Sequence, residues 1–124
     1  MNILVVDDED LILSLVNSIL QKENHNIILA YTGEEALKLL RDNKTNLDLV
    51  ILDLHMPGLS GPDTLRQMRT IYENLPCIFS SGESMNIEDL PEDIRTNTYY
   101  LDKPYRSKEL IKKVKEIYQI SVTF

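Results

Sequence analysis

Residues that can bind phosphate or a metal ion recur directly after short apolar runs of this sequence. They are Asp7 and Asp8 after residues 3–6, Asp53 after residues 47–52, Ser80 and Ser81 after residues 78–79, and Asp102 and Lys103 after residues 99–101. Runs of this length are typical of strands buried on both faces of a parallel sheet. Ligands of such sheets bind beyond the carboxyl ends of the strands, so we expect these side chains to converge at one edge.

The acidic residues of this set predict a cation site. Asp7, Asp8 and Asp53 would repel one another at close range unless a cation neutralised them. Mg²⁺ prefers an all-oxygen ligand set and takes only one or two carboxylates besides water and substrate oxygens, which leaves room for a phosphoryl group. Taken singly, each residue is equally well explained as a helix cap, a turn residue or a solvated lysine. The prediction therefore rests on their combination.

The apolar pattern predicts alternating strands and helices. Residues 27–30 form a fifth strand-sized run. Helical spacing connects the runs, at Leu11, Leu15 and Ile19, at Ala36, Leu37 and Leu40, at Leu65, Met68 and Tyr72, and at Leu110, Val114 and Ile117. Five strands alternating with about five helices, without repeats or a Gly/Ser-rich linker, indicate one α/β domain over residues 1–124 with helices on both faces of the sheet.

The fourth helix is the weakest element of this pattern. Residues 86–97 contain Pro91, which a helix tolerates only near its start, and the stretch ends in poor helix formers. We expect this helix to be short, shifted or partly unwound. Helix starts are better marked at Thr32-Gly33-Glu34-Glu35 and at Ser107.

Composition narrows the classes of function. Twenty acidic against 13 basic residues give a formal net charge of −7, which disfavours direct binding to nucleic acid. No apolar run approaches the roughly 20 residues that span a bilayer, so we expect no membrane insertion. The first residues lack the basic region of a secretory signal, and we expect a cytoplasmic location. Cys77 is the single cysteine, which excludes an internal disulfide and indicates a buried, inert thiol.

Four motifs, in their order and spacing, resemble the response-regulator receiver family of two-component signalling. They are Ile-Leu-Val-Val-Asp-Asp-Glu at 3–9, Asp-Leu-Val-Ile-Leu-Asp-Leu-His-Met-Pro-Gly-Leu-Ser-Gly at 48–61, Ser-Ser-Gly at 80–82 and Leu-Asp-Lys-Pro-Tyr at 101–105. The resemblance implies a doubly wound, flavodoxin-like parallel sheet of strand order 2-1-3-4-5. It also implies a phosphorelay protein that takes a phosphoryl group from a histidine kinase or a histidine phosphotransfer protein and later dephosphorylates itself. As an isolated domain it would not be an enzyme.

The same resemblance implies roles for the residues after the strands. Asp53 would be the phosphoacceptor. Asp8 and Asp53 would bind Mg²⁺ directly, together with the backbone carbonyl of His55, while Asp7 would act mostly through water. Lys103 would bind the phosphoryl group, and its peptide bond to Pro104 would be cis.

Two further pairs of residues concern the response and its duration. Ser81 and Tyr100 match the switch pair of the family, whose movement would change the surface around the fourth helix and fifth strand after phosphorylation. The alternative for Tyr100 is an ordinary strand aromatic. His55 and Glu83 stand two residues after the phosphoacceptor and after the switch hydroxyl, and we hypothesise that they tune the dephosphorylation rate.

Other α/β proteins fit these motifs less well. The acidic residues after the first strand would repel a flavin phosphate, and the P-loop motif is absent. Hydrolases of the aspartyl-phosphate type typically carry a second Asp where this chain has His55. The remaining alternative is a receiver-shaped interaction module that is not phosphorylated.

The sequence leaves the parent protein open. A free-standing regulator, a domain of a longer response regulator and the receiver of a hybrid sensor histidine kinase all fit. The stretches at residues 80–82 and 102–110 resemble the last class. The sequence does not decide whether the phosphorylated domain forms a dimer or binds a downstream protein target.

Overall fold

Five strands and four α-helices form the described part of the chain. The structure, a computed structural model, describes residues 1–42 and 46–123, and the side chains of residues 1–42 and 46–120. In chain order the elements are β1 Asn2–Val6, α1 Asp10–Lys22, β2 Asn26–Ala30, α2 Gly33–Asp42, β3 Leu49–Asp53, α3 Gly61–Ile71, β4 Cys77–Ser81, β5 Thr98–Asp102 and α4 Ser107–Thr123. No helix among these residues is long and apolar enough to cross a bilayer.

The strands form one parallel sheet in the order β2-β1-β3-β4-β5, which confirms the expected topology. Every residue of β3 and β4 is buried, which explains why these strands are apolar runs without alternation. Val6 of β1 pairs with Leu52 of β3, and Asp53 pairs with Ser80 of β4. This register places the residues that follow β1, β3 and β4 side by side at one edge.

Each face of the sheet packs against its own pair of helices. On one face, α1 and α4 contribute Leu13, Val16, Leu110 and Val114 to a core shared with β1 and β3. On the other face, α2 and α3 contribute residues that include Ala36, Leu37, Leu65 and Met68. Burying one such leucine stabilises the fold by about 1.5–3 kcal/mol. The two cores hold the sheet rigid and leave its carboxyl edge uncovered.

The fourth predicted helix is replaced by two short 3-10 turns, Ile87–Asp89 and Glu92–Ile94. The expectation of about five helices was therefore too high by one, and the doubt about this segment was justified. Pro91 lies between the turns, where it cannot donate a backbone hydrogen bond to a continuous helix. Buried Leu90 and Ile94 attach the segment to the core instead.

Arginine side chains take over the role that helical hydrogen bonds would have had in this segment. Arg66 of α3 binds Asp93 through Nε at 2.6 Å and Nη2 at 3.1 Å. Arg69 of α3 donates to the carbonyl of Ile94 at 3.1 Å, and Arg95 donates to the carbonyl of Leu90 at 2.8 Å. Hydrogen bonds from two arginines of α3 and from one arginine within the segment therefore help to hold residues 82–97.

Other expectations for single residues agree with the structure. Helix α2 begins at Gly33, within the predicted start at residues 32–35, and helix α4 begins at the predicted Ser107. Helix α3 ends at Ile71, one residue before Tyr72. Cys77 lies in β4 with no exposed surface, and burial raises the pKa of its thiol, so the thiol is inert as expected.

Gly33 marks a close contact between α2 and α3 that gives a first prediction. A Cβ atom at this position would overlap the hydroxyl of Thr64, which donates to the carbonyl of Ser60 at 2.7 Å. We expect Gly33→Ala to lower the free energy of unfolding by about 1–2 kcal/mol, since overpacking outweighs the gain from replacing a helical glycine. Chemical denaturation measures the change.

A matched control exists at Gly82, where a Cβ atom would meet nothing within 4 Å. Gly82→Ala should change the free energy of unfolding by less than about 0.5 kcal/mol. Equal stabilities for the two variants would show that α2 and α3 do not depend on this contact.

Candidate functional site

Three carboxylates meet at the carboxyl edge of the sheet. Asp7 and Asp8 follow β1 and Asp53 ends the adjacent β3, so one ligand oxygen from each lies within 4.8 Å of the others. Asp7 and Asp53 are buried, at 2% and 5% exposure, whereas Asp8 faces solvent. A buried pair of carboxylates at this spacing is costly unless positive charge is close.

Backbone N–H groups orient the two buried carboxylates. The N–H of Glu9 donates to Oδ1 of Asp7 at 2.9 Å, and the N–H of His55 donates to Oδ1 of Asp53 at 3.2 Å. Each bond comes from the residue two positions later, at the turn that leaves the strand. The second oxygen of each carboxylate stays directed toward the other charged groups of the site.

Lys103 supplies the positive charge within the site. It follows β5, and its N–H donates to the carbonyl of Ser81 at 2.8 Å. Its Nζ lies 2.6 Å from Oδ2 of Asp7, 3.4 Å from Oδ2 of Asp53 and 3.6 Å from Oε1 of Glu9. The peptide bond from Lys103 to Pro104 is cis, as the resemblance implied.

The charges of the site act on one another. Burial raises the pKa of Asp53, the charge of Lys103 opposes that rise, and the charge of Asp7 adds to it. Burial lowers the pKa of Lys103, but hydrogen bonding to Asp7 and the charges of Asp7, Asp53 and Glu9 outweigh it and raise that pKa above its ordinary value. Lys103 is therefore protonated, and its single positive charge faces the carboxylates of Asp7, Asp53 and Glu9.

These donors fit a hard divalent cation. The ligand atoms of Asp7, Asp8 and Asp53 are all carboxylate oxygens, and the excess of negative charge over Lys103 favours a cation. A cleft of about 620 Å³ opens beside them and offers room for a second ligand. Its lining includes Asp8, Asp53, His55, Ser81 and Lys103.

Ser81 connects the cleft to β5. It is buried at 2% exposure, and its Oγ accepts the N–H of Glu83 at 3.1 Å. The hydroxyl of Tyr100 donates to the carbonyl of Glu83 and approaches the carbonyl of Ser81 at 3.3 Å. Tyr100 and Glu83 therefore lie behind Ser81 and are joined to it through hydrogen bonds.

The eight residues to which the sequence analysis gave roles are all brought to this edge. Asp8, Asp53, His55, Ser81 and Lys103 line the cleft, Asp7 reaches it through Lys103, and Tyr100 and Glu83 form the layer behind. The backbone around Asp53 also depends on Gly61, because a Cβ atom there would stand 2.7 Å from the carbonyl oxygen of Asp53. The sequence indicated only that this glycine-containing turn shapes the site.

Sequence reasoning missed Glu9 as a member of the site. Its carboxylate lies 3.6 Å from Nζ of Lys103, although its side chain is 62% exposed. The signal was present in the unbroken acidic stretch from Asp7 to Asp10. An exposed ion pair of this length is weak, which is why charge pattern alone could not single it out.

The sheet order and the charged cleft define a receiver domain of two-component response regulators. The chain belongs to the response regulator receiver domain family, whose sequence profile matches residues 3–115. The motifs that suggested the family are thus part of a match that covers most of the chain.

Similar proteins come from several kinds of signalling protein. The transcriptional regulatory protein CpxR of Escherichia coli is 34% identical over 115 residues, which are 93% of this chain and 48% of CpxR. The chain thus spans about half the length of the curated relatives it matches. The receiver domain of the hybrid histidine kinase CckA is 32% identical with a TM-score of 0.80, covering 94% of this chain and 98% of that structure.

A third similar protein is the response regulator TrrA of Thermotoga maritima, whose structure was solved in complex with Mg²⁺ and BeF. It is 38% identical, with a TM-score of 0.80, and the match covers 94% of this chain and 99% of that chain.

The buried charges predict opposite effects of two isosteric substitutions on the metal-free protein. Asp53→Asn removes a buried charge whose pKa is raised, while Lys103 keeps its 2.6 Å contact with Asp7. We expect the free energy of unfolding to rise by about 1 kcal/mol or more. Asp7→Asn leaves Lys103 with its longer contacts to Asp53 and Glu9. This substitution should lower the free energy of unfolding by about 1–3 kcal/mol.

Denaturation at neutral pH with a chelator present measures both changes. Each variant removes one negative charge, so both relieve the repulsion among the carboxylates. The difference between their free energies of unfolding therefore reports the pairing with Lys103. Stabilisation by both substitutions to the same degree would mean that repulsion, and not the ion pair, governs this edge.

Proposed function

We propose that Asp53 is the phosphoacceptor of this receiver domain. The observation that carries the proposal is a buried carboxylate that lines the cleft with Nζ of Lys103 only 3.4 Å away. In the transfer, a carboxylate oxygen of Asp53 attacks the phosphorus of a phosphohistidine. The P–N bond breaks, its electron pair returns to the imidazole nitrogen, and an acyl phosphate forms.

The groups around Asp53 hold the transferred phosphoryl group. Lys103 is protonated, and its Nζ would exchange the longer contact with Asp53 for a phosphoryl oxygen while it keeps the shorter contact with Asp7. Asp8, Asp53 and the backbone carbonyl of His55 would hold Mg²⁺ directly, with Asp7 acting through water. When bound, Mg²⁺ would neutralise charge that spreads over the phosphoryl oxygens. The complex of the similar protein TrrA with Mg²⁺ and BeF supports Mg²⁺ as the cation proposed here.

Ser81 and Tyr100 are proposed as the switch. A phosphoryl group on Asp53 offers new acceptor oxygens in the cleft that Ser81 lines. Movement of Ser81 toward them would break the hydrogen bond that its Oγ accepts from the N–H of Glu83. It would also disturb the contacts of the Tyr100 hydroxyl with the carbonyls of Ser81 and Glu83. The altered contacts would then reach residues 82–97, which lack an α-helix of their own.

We infer a single receiver domain over residues 1–124 that acts in the cytoplasm with a histidine kinase or a histidine phosphotransfer protein. Within the domain the only chemistry proposed is its own phosphorylation and dephosphorylation. The similar proteins carry receivers in a transcriptional regulator and in a hybrid histidine kinase, so the output depends on the parent protein.

Intact mass spectrometry tests the phosphoacceptor. After incubation with Mg²⁺ and acetyl phosphate, the native chain should gain one phosphoryl group and Asp53→Asn should gain none. Asp42→Asn is the matched control, because this exposed aspartate at the end of α2 lies outside the cleft and should leave the gain intact. No gain by the native chain with any donor or divalent metal would favour the interaction module that is not phosphorylated.

The lifetime of the phosphorylated form tests the residues proposed to tune it. His55 is exposed at the cleft, so His55→Ala should admit water more freely and shorten the lifetime by about threefold, a barrier change of roughly 0.6 kcal/mol. Glu83→Ala should lengthen it, because the exposed carboxylate of Glu83 would otherwise help to orient the hydrolytic water. The loss of the phosphorylated species over time, followed by intact mass spectrometry, measures both lifetimes. Glu73→Ala, at an exposed position before β4, is the control. Unchanged lifetimes in both variants would remove the hypothesis.

A further inference from the structure

The loop that carries His55 is fixed at both of its ends. This loop, residues 54–60, connects β3 to α3. At its start the N–H of Leu54 donates to the carbonyl of Ser80 at 2.9 Å, and at its end the N–H of Gly61 donates to the carbonyl of Leu54 at 3.3 Å. Between these points His55, Pro57 and Gly58 are exposed. The middle of the loop therefore needs a separate contact to hold one conformation.

Glu34 of α2 provides that contact. Its Oε1 accepts the N–H of Leu59 at 2.8 Å, across 25 positions of sequence. Its Oε2 lies 2.8 Å from the point where a Cβ atom of residue 58 would stand, and Gly58 has a φ of +78°. The positive φ favours glycine at residue 58, and a side chain there would also have to displace the carboxylate of Glu34.

We propose that Glu34 is a positioning residue for the metal site, acting through the loop of residues 54–60. The inference rests on the proposed function, in which the backbone carbonyl of His55 is a metal ligand. A carbonyl on a loop that samples several conformations must be ordered when it binds a cation, and that cost weakens binding. A charge-assisted hydrogen bond to Leu59 orders the loop beforehand.

Glu35 offers a matched control one residue away. It is exposed like Glu34 and lies in the same first turn of α2, but its carboxylate accepts the N–H of Tyr31 at 3.3 Å and does not serve the loop. Replacing either glutamate by alanine removes one negative charge from the same helix end. Any difference between Glu34→Ala and Glu35→Ala therefore reports the contact with the loop.

Calorimetric titration of the whole chain with MgCl₂ gives the metal affinity without relying on phosphorylation. We expect Glu34→Ala to bind Mg²⁺ between about twofold and about tenfold more weakly than the native chain, the range for loss of one hydrogen bond. Glu35→Ala should match the native chain. At saturating Mg²⁺ the phosphorylation rate of Glu34→Ala should return to the native value, because the defect lies in metal binding.

Two conservative variants separate the effect of side-chain length at residue 34 from the effect of its charge. Glu34→Gln keeps the length of the side chain and an oxygen that accepts the N–H of Leu59, so its Mg²⁺ affinity should stay within about twofold of native. Glu34→Asp keeps the charge but is one methylene shorter, so it should bind Mg²⁺ as weakly as Glu34→Ala. A native affinity for Glu34→Asp together with a weakened Glu34→Gln would show that charge alone matters and would overturn the proposal.

The outcomes also distinguish this inference from the proposed function. Native protein that binds no Mg²⁺ would remove the metal site and the inference with it. Native binding with equal affinities for the two alanine variants would remove only the role of Glu34. Circular dichroism confirms that each variant is folded, and if Glu34→Ala is not, the comparison of Glu34→Gln with Glu34→Asp decides the question.

Discussion

The ion pair between Lys103 and Asp7 is the interaction on which the arrangement of this molecule depends. Its 2.6 Å contact joins the residue after β5 to the residue after β1, across the two strands that lie between them. It makes tolerable the burial of Asp7 and Asp53 at one edge of the sheet. The sheet supplies the rigidity, and the lysine supplies the charge that lets acidic residues gather there.

The buried charge of Asp53 reduces the stability of the folded protein. Burial raises the pKa of Asp53, so its charged form is held in the folded protein at a cost that the two apolar cores offset. The same burial excludes bulk water from the carboxylate and strengthens its interactions with Lys103. The charges that would meet a cation or a phosphoryl group are thus already in place at the carboxyl edge of the sheet.

Residues 82–97 are held in a different way from the rest of the fold. Helices α1 to α4 carry continuous backbone hydrogen bonds, whereas this segment has the short backbone bonds of its two 3-10 turns and the burial of Leu90 and Ile94. Side-chain bonds from three arginines and the hydroxyl of Tyr100 add to these. Side-chain clamps can be released singly, without the cooperative loss of a helix. The surface bonds of this segment can therefore change while Leu90 and Ile94 keep it attached to the core.

The sequence by itself determined the strands, the helix starts at Gly33 and Ser107, and the residues that follow each strand, because burial on both faces and strand-end chemistry leave local patterns. Pro91 likewise revealed the failure of the fourth helix. Only the tertiary structure decided that Lys103 pairs with Asp7 and that Glu34 holds Leu59, contacts between residues 96 and 25 positions apart. Such pairings depend on strand order and helix packing, which place side chains in space without leaving a local signal in the chain.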